Sequence, residues 1–411
     1  MFNTIDEVYN YLYNQKKLAK RENLDRIKFA KEKLNISIDY KIIHIAGTNG
    51  KGSTAQMIKS ILMLKNLHVG LFVSPYVISF NERIEINDRY ISDAEIMHYM
   101  NILYDFNENY KKEYNDVIPF FELTLLMALM FFQDRNIDIA VIECGLGGLL
   151  DSTNFLKTDL AIITNVGFDH MAQLGDSLES IANHKLGIVK DNMYALTACD
   201  KSLMPQFNDY AKLHNAKIFN ILDDVKDIKV DNKTSFIYKN RQYKTNLLGD
   251  YQAYNASLAI EACKYMTDIK DDLIDFALEN VFWPGRFEII QNNPLVIIDG
   301  AHNIHAINAL VKALDKTYNT KFEIVFSALV DKDYRSMINV LDNIANKYYF
   351  TAINDLRKTD ESLFGECTNI NYQSFDDYKI AIKEAISQNK PVLITGSLHF
   401  ISMVRQYLKN S

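Results

Sequence analysis

Glycine is scarce in this chain of 411 residues: 15 are present where average usage predicts roughly 29. Any cluster of glycines therefore stands out. Cysteine is scarcer, and Cys144, Cys199, Cys263 and Cys367 lie far apart without CxxC spacing. That excludes a zinc knuckle and a disulfide framework, and it suits a reducing cytoplasm. Neither sign of charge dominates, with 45 Lys and Arg against 52 Asp and Glu and a net charge of -7. The two signs are interleaved, so no broad nucleic-acid-binding face is expected, and any bound anion must be met by a local device. Long hydrophobic runs are also missing. The most apolar, residues 123–132, is about half the ~20 residues that a membrane span needs and reads as a buried helix. The first residues, MFNTIDEVYNYLYNQ, have neither the basic nor the apolar region of a signal peptide. A cytoplasmic protein with no membrane partner is the expectation.

The composition is that of a globular protein, 48% hydrophobic and 24% charged, and the length exceeds what one core usually serves. From Lys41, the apolar runs KIIHIA, VGLFVS, DIAVIE, DLAIIT and YALTA alternate with helical patterns. This predicts a doubly wound, mostly parallel α/β sheet. Residues 228–246 change to short polar-apolar strands and predict a small antiparallel appendage; helix returns over 251–266. A break at Trp283-Pro284-Gly285-Arg286 precedes a second alternating series, PLVIID, FEIVFSA, KYYFTAI and PVLITG, with helices near 304–315, 334–345 and 378–388. The predicted domains are therefore an N-terminal α/β domain, 1–283, and a smaller Rossmann-like α/β domain, 284–411.

Six of the glycines fall in two loops. The first, Gly47-Thr48-Asn49-Gly50-Lys51-Gly52-Ser53-Thr54, lies between a strand and a helical pattern. Backbone N–H groups of such a loop and the helix N-terminus face an anion, Lys51 adds a cation for the β- and γ-phosphates, and the Ser53 hydroxyl can ligate magnesium. The second, Cys144-Gly145-Leu146-Gly147-Gly148, follows Glu143 at the end of DIAVIE. In an open parallel sheet ligands gather at the carboxyl ends of strands, and a carboxylate there suits magnesium.

Further runs are Ser74-Pro75-Tyr76 through Glu82-Arg83-Ile84, Asn165-Val166-Gly167-Phe168-Asp169-His170, Ile181-Ala182-Asn183-His184-Lys185, Gln252-Ala253-Tyr254-Asn255, Trp283 through Glu288, Asp299-Gly300-Ala301-His302-Asn303 and Asp331-Lys332-Asp333. Together with GTNGKGST they resemble the motifs of the folylpolyglutamate and dihydrofolate synthases of the Mur ligase superfamily, over nearly the whole chain from Leu24. The resemblance implies that Ser74 and His170 join Ser53 and Glu143 as magnesium ligands. It also implies that Lys185 is carbamylated to support a second magnesium ion. Asn255 and Arg286 would contact ATP, Asp299 its ribose or phosphates and His302 the γ-phosphate, so that Lys51, Lys185 and His302 form the catalytic set. Two residues depart from the pattern: Leu149 stands where the family has Arg in GGRLD, and Tyr76 where it has His.

The implied reaction adds L-glutamate to the terminal carboxylate of a tetrahydrofolate through an acyl phosphate made from ATP, and dihydropteroate is a possible second substrate. A monomer is the family expectation. One alternative is another Mur-type ligase acting on a peptidoglycan precursor, against which GTNGKGST and WPGRFE argue. Another is a nucleotide-binding module that performs no ligation.

Overall fold

The computed structural model describes residues 1–15, 23–330, 332–353 and 359–409, so Asp331 of the last motif lies outside the described residues. Among the described residues the N-terminal part builds one eight-stranded sheet from β1 Lys41–Ala46, β2 Val69–Phe72, β3 Ile84–Ile86, β4 Arg89–Tyr90, β5 Ile139–Glu143, β6 Leu160–Ile163, β7 Tyr194–Thr197 and β8 Lys217–Asn220. Their order is β4-β3-β2-β5-β1-β6-β7-β8. All pairs are parallel except those made by β3 and β4.

The central strands are buried on both sides, which is why they read as unbroken apolar runs. One face is covered by the helices Lys51–Met63, Asp250–Met266 and Asp271–Asn280. The other is covered by Asp93–Tyr114 and Phe120–Asp134. The second of these is apolar on nearly every side, as residues 123–132 predict. No helix among the described residues is long and apolar enough to cross a membrane.

The register brings the site together. Ile45 of β1 pairs with Glu143 of β5, and Ala46 pairs with Ile163 of β6. The loops leaving these three neighbouring strands therefore open at one sheet edge, where ligands of open α/β sheets bind. The expected antiparallel appendage is present as β9 Val225–Val230, β10 Thr234–Tyr238 and β11 Arg241–Thr245. It buries Phe236, Tyr238 and Tyr243 in the same core as the helix Asp250–Met266.

The C-terminal part is a six-stranded sheet in the order β12-β13-β17-β14-β15-β16, made of β12 Glu288–Asn292, β13 Leu295–Ile298, β14 Phe322–Phe326, β15 Ala345–Thr351, β16 Tyr372–Phe375 and β17 Val392–Thr395. Only β12 runs antiparallel to its neighbour. The helix expected over 334–345 stops at Leu341. By residue 344 the sheet has claimed the chain: the Ile344 carbonyl accepts the Phe322 N–H at 2.8 Å, and Ala345 begins β15. The strands β3, β4, β8, β12 and β16 were not expected. β4, β8, β12 and β16 lie at sheet edges and are partly or largely exposed, so they lack the apolar run that marks a central strand, and β3 spans only Ile84–Ile86.

Candidate active site

The glycine loop joins β1 to the helix Lys51–Met63, and its tightness comes from direct contacts. A side chain on Gly47 would collide with the Thr164 hydroxyl, and one on Gly50, whose φ is 82°, with the Asn255 amide. A Cβ on Gly52 would sit 3.2 Å from Nε1 of Trp283, the only tryptophan in the chain. Thr164 Oγ1 donates to the Asn49 carbonyl at 2.6 Å, and Asn49 N–H donates to Asn165 Oδ1 at 2.9 Å. Lys51 Nζ curls back to donate to the carbonyls of Gly47 at 3.0 Å and Thr48 at 3.3 Å. The same nitrogen lies 3.8 Å from Glu143 Oε1. The loop is thus closed on itself around the Lys51 cation, at the N-terminus of the helix Lys51–Met63, where an anion would be met.

Glu143 is buried and takes the Ser74 N–H on Oε2 at 3.1 Å. Burial pushes its carboxyl up, opposed by Lys51, the Ser74 N–H and Arg286. Lys185 is also buried, and desolvation with the nearby Lys51 charge lowers its amine to about 7. A neutral amine at physiological pH is the form able to react with carbon dioxide. His170 begins the short helix Met171–Leu174 in the left-handed conformation, φ 52°, with its ring partly exposed.

The opposite wall comes from the C-terminal sheet. Asp299, after β13, is buried and accepts the N–H groups of Phe287 at 2.7 Å and Ala301 at 2.8 Å. Burial raises its carboxyl, and Arg286 draws it down. His302 Nδ1 lies 2.9 Å from the Gly300 carbonyl, which can only accept, so Nδ1 carries the proton and Nε2 faces Asp169 at 3.8 Å. Burial and the Lys332 charge lower this imidazole to about 4. That lowering favours the neutral imidazole, which an approaching anion would draw toward protonation.

All the residues singled out from the sequence line one cleft of about 670 Å³: the run from Gly47 to Ser53, with Ser74, Glu143, His170, Lys185, Asn255, Arg286, Asp299 and His302. Sequence reasoning missed how its walls are joined. Asn49 and Asn303 exchange amide hydrogen bonds at 3.1 and 3.2 Å across the cleft. Asp169 accepts from Lys332 Nζ at 2.8 Å and from Asn303 Nδ2 at 3.1 Å. Burial acts to raise the Asp169 carboxyl, but His170, Lys332 and His302 outweigh it and hold the group well below the usual range. Asp169, Asn303 and Lys332 all stand within quoted motifs, which was the available signal; their pairing across 134 and 163 residues was not readable. The Leu149 side chain is exposed and lies outside the cleft lining.

Among the described residues no three His, Cys, Asp or Glu side chains converge as a preformed metal cage. The donors present suit magnesium, which retains waters and is commonly held by one or two carboxylates plus substrate phosphates. Ser53, Ser74 and Glu143 fit that description. His170 and Lys185 fit a second ion only when the lysine carries an anionic group.

Comparison with known proteins agrees with this geometry. The Mur ligase middle domain model matches residues 45–263, and the Mur ligase glutamate ligase domain model matches 285–398. A dihydrofolate synthase/folylpolyglutamate synthase of Bacillus subtilis is 33% identical, and the match covers 100% of each chain. The crystal structure of a folylpolyglutamate synthase from Thermotoga maritima superposes with a TM-score of 0.86 at 30% identity, covering 98% of this chain and 96% of that one. A bifunctional folylpolyglutamate synthase/dihydrofolate synthase with Mn, AMPPNP and L-glutamate bound gives a TM-score of 0.86 at 28% identity, covering 99% of this chain and 98% of that one.

Proposed function

The chain belongs to the Mur ligase family and, within it, to the dihydrofolate synthase/folylpolyglutamate synthases, and from that premise we propose how its residues divide the work of an ATP-dependent ligase joining L-glutamate to a folate. The observation that carries the reading is the two-walled cleft, with a phosphate loop and Glu143 on one side and Arg286, Asp299 and His302 on the other. The peptidoglycan alternative loses its ground, because relatives over the full length are folate ligases.

ATP lies between the walls. Its β- and γ-phosphates meet the loop N–H groups and Lys51, while Arg286 meets it from the second wall and Asn255 from the helix Asp250–Met266. The folate carboxylate attacks the γ-phosphorus, ADP leaves, and an acyl phosphate results. The glutamate amine then attacks the acyl carbon, phosphate leaves, and the amine proton passes to solvent or phosphate. Catalysis is positioning and charge neutralisation, with no side chain as covalent nucleophile. His302, neutral before ATP arrives, gains a proton beside the γ-phosphate and then donates to it.

Magnesium would be held by Ser53, Ser74 and Glu143, and a second ion by His170 and a carbamylated Lys185; bound there, the ions neutralise charge developing on the phosphates. The buried Lys185 amine reacts with carbon dioxide, forming an N–C bond and releasing a proton. The modification turns an amine, whose protonated form would repel magnesium, into an anion that holds it. The split into a 1–283 ATP-binding domain and a 284–411 ligase domain belongs to the same reading, supported by the second sheet opening at Glu288. A monomer is proposed on the family expectation alone.

Purified protein given ATP, magnesium and glutamate should release phosphate and extend tetrahydrofolate only when both carboxylate and amine substrates are present. Running dihydropteroate in parallel decides whether the first glutamate is also added. Phosphate release that ignores both substrates would sink the ligase reading.

A further inference from the structure

The segment that brings Ser74 to the cleft leaves the end of β2, yet it belongs to two cores at once. Ser74 N–H binds Glu143 in the N-terminal wall. Three residues on, Val77 is 3% exposed and belongs to the apolar cluster of the C-terminal sheet, with Val296, Ile298, Leu398 and Ile401. Its methyl groups also pack at the hinge: a Cβ built on Gly285 would lie 3.1 Å from Val77 Cγ1 and 3.0 Å from Ile401 Cγ2. Leu398 in turn lies against Gly300, where a Cβ would also be 2.9 Å from Arg286 Nη1. One short loop thus connects a metal-site backbone in one domain to the packing beneath the nucleotide motif of the other.

Glu82 fixes the shape of that loop. It is 1% exposed, and its Oε2 accepts the N–H groups of Val77 at 2.8 Å and Ile78 at 2.7 Å. Its Oε1 is buried without a hydrogen-bond partner among the described residues. A buried carboxylate half satisfied costs stability, so the loop geometry it enforces must be worth more than an apolar filling. At the base of the loop Val73 N–H donates to the Arg83 carbonyl at 3.0 Å.

We propose that Val77, held in place by Glu82, is a positioning residue of the ligase: seating the C-terminal domain carries Ser74, and through its N–H Glu143, into the geometry that accepts magnesium and phosphate. Close-packed apolar cores transmit displacement rather than absorb it, so the Val77 plug couples the two walls. Its role in turnover rests on the ligase reading; the coupling itself does not.

The test measures turnover together with magnesium-dependent binding of a non-hydrolysable ATP analogue. Val77→Ala should lower kcat about 100-fold, the usual cost of a misplacement near 1 Å, with the ATP KM changed less than about threefold. It should also raise the magnesium concentration needed for analogue binding, and Val77→Ile should restore most of both. A Val77→Ala protein that loses thermal stability but keeps kcat and its magnesium requirement would make Val77 mere packing and overturn the proposal. Should that variant not fold, Glu82→Met is read the same way: it keeps most of the volume but removes the acceptor of the Val77 and Ile78 N–H groups, and should cost about tenfold in kcat with the same magnesium shift. Unchanged values in Glu82→Met overturn the proposal equally. Analogue binding needs neither folate nor glutamate, so a wild-type protein that fails to ligate would refute the ligase reading while the magnesium shift still reports on the coupling.

Discussion

The two walls of the cleft are built by different means. The N-terminal wall is fixed largely from within its own domain: Thr164, Asn165 and the loop carbonyls hold the glycine loop closed, and only the Ser74 corner, whose N–H holds Glu143, leans on the other domain through Val77. The C-terminal wall has Asp299 fixed in the same way, but the contacts that bring it up to its partner are side chains reaching across, Asn303 to Asn49 and Lys332 to Asp169. One wall is preorganised by hydrogen bonds within its own domain, the other by domain approach. The chemistry should therefore be lost abruptly when the first wall is altered and gradually when the second is.

The largest effect expected is that of Lys51→Ala, on the order of 10³-fold in kcat with the melting temperature preserved, because a preorganised charge at the transferring phosphate is removed. Steady-state kinetics beside a thermal melt checks it, and a near-normal rate would falsify the placement of ATP on this wall. Lys185→Ala comes next, with a loss of about 10²- to 10³-fold. A short carboxylic acid added to that variant should restore part of the rate, and its amide analogue should not. The pH dependence has a definite sign: the amine lies near 7, below its ordinary 10.5, so it is neutral above pH 7 and charged below. Falling pH removes the reactive form about tenfold per unit, and activity measured after incubation at limiting bicarbonate should fall with it.

Glu143→Ala and His170→Ala should each raise the magnesium requirement about 10- to 100-fold while leaving the fold intact. Magnesium titrations unchanged in both variants would remove the metal from this wall. The smallest effect is expected at the reaching wall. Lys332→Ala should cost about tenfold in the ATP KM and little in kcat at saturation, since ATP itself draws the domains together. A kcat loss as large as that of Lys51→Ala would erase the distinction between the walls.

The same contrast explains what was legible in the amino-acid sequence. The parallel strands were readable because burial on both faces makes them apolar without interruption, whereas β8, β12 and β16 are edge strands whose exposure hides them. Lys51 and Ser53 could be read because strand, glycine loop and helix are contiguous, and Glu143 because it ends a central apolar strand just before the second glycine loop. The Asp169–Lys332 pair and the Val77 plug were not readable: each joins residues distant in sequence, and neither residue type announces its partner. A valine after Ser-Pro-Tyr has no feature that places it in the core of another domain.

The packing of Trp283 on Gly52 has a practical side. Because the chain has no other indole, its ultraviolet-excited emission arises largely from a single ring in van der Waals reach of the phosphate loop, next to the hinge. The molecule therefore carries its own optical reporter, so stopped-flow mixing with nucleotide can time loop occupancy and domain approach without a dye label or an added reporter residue.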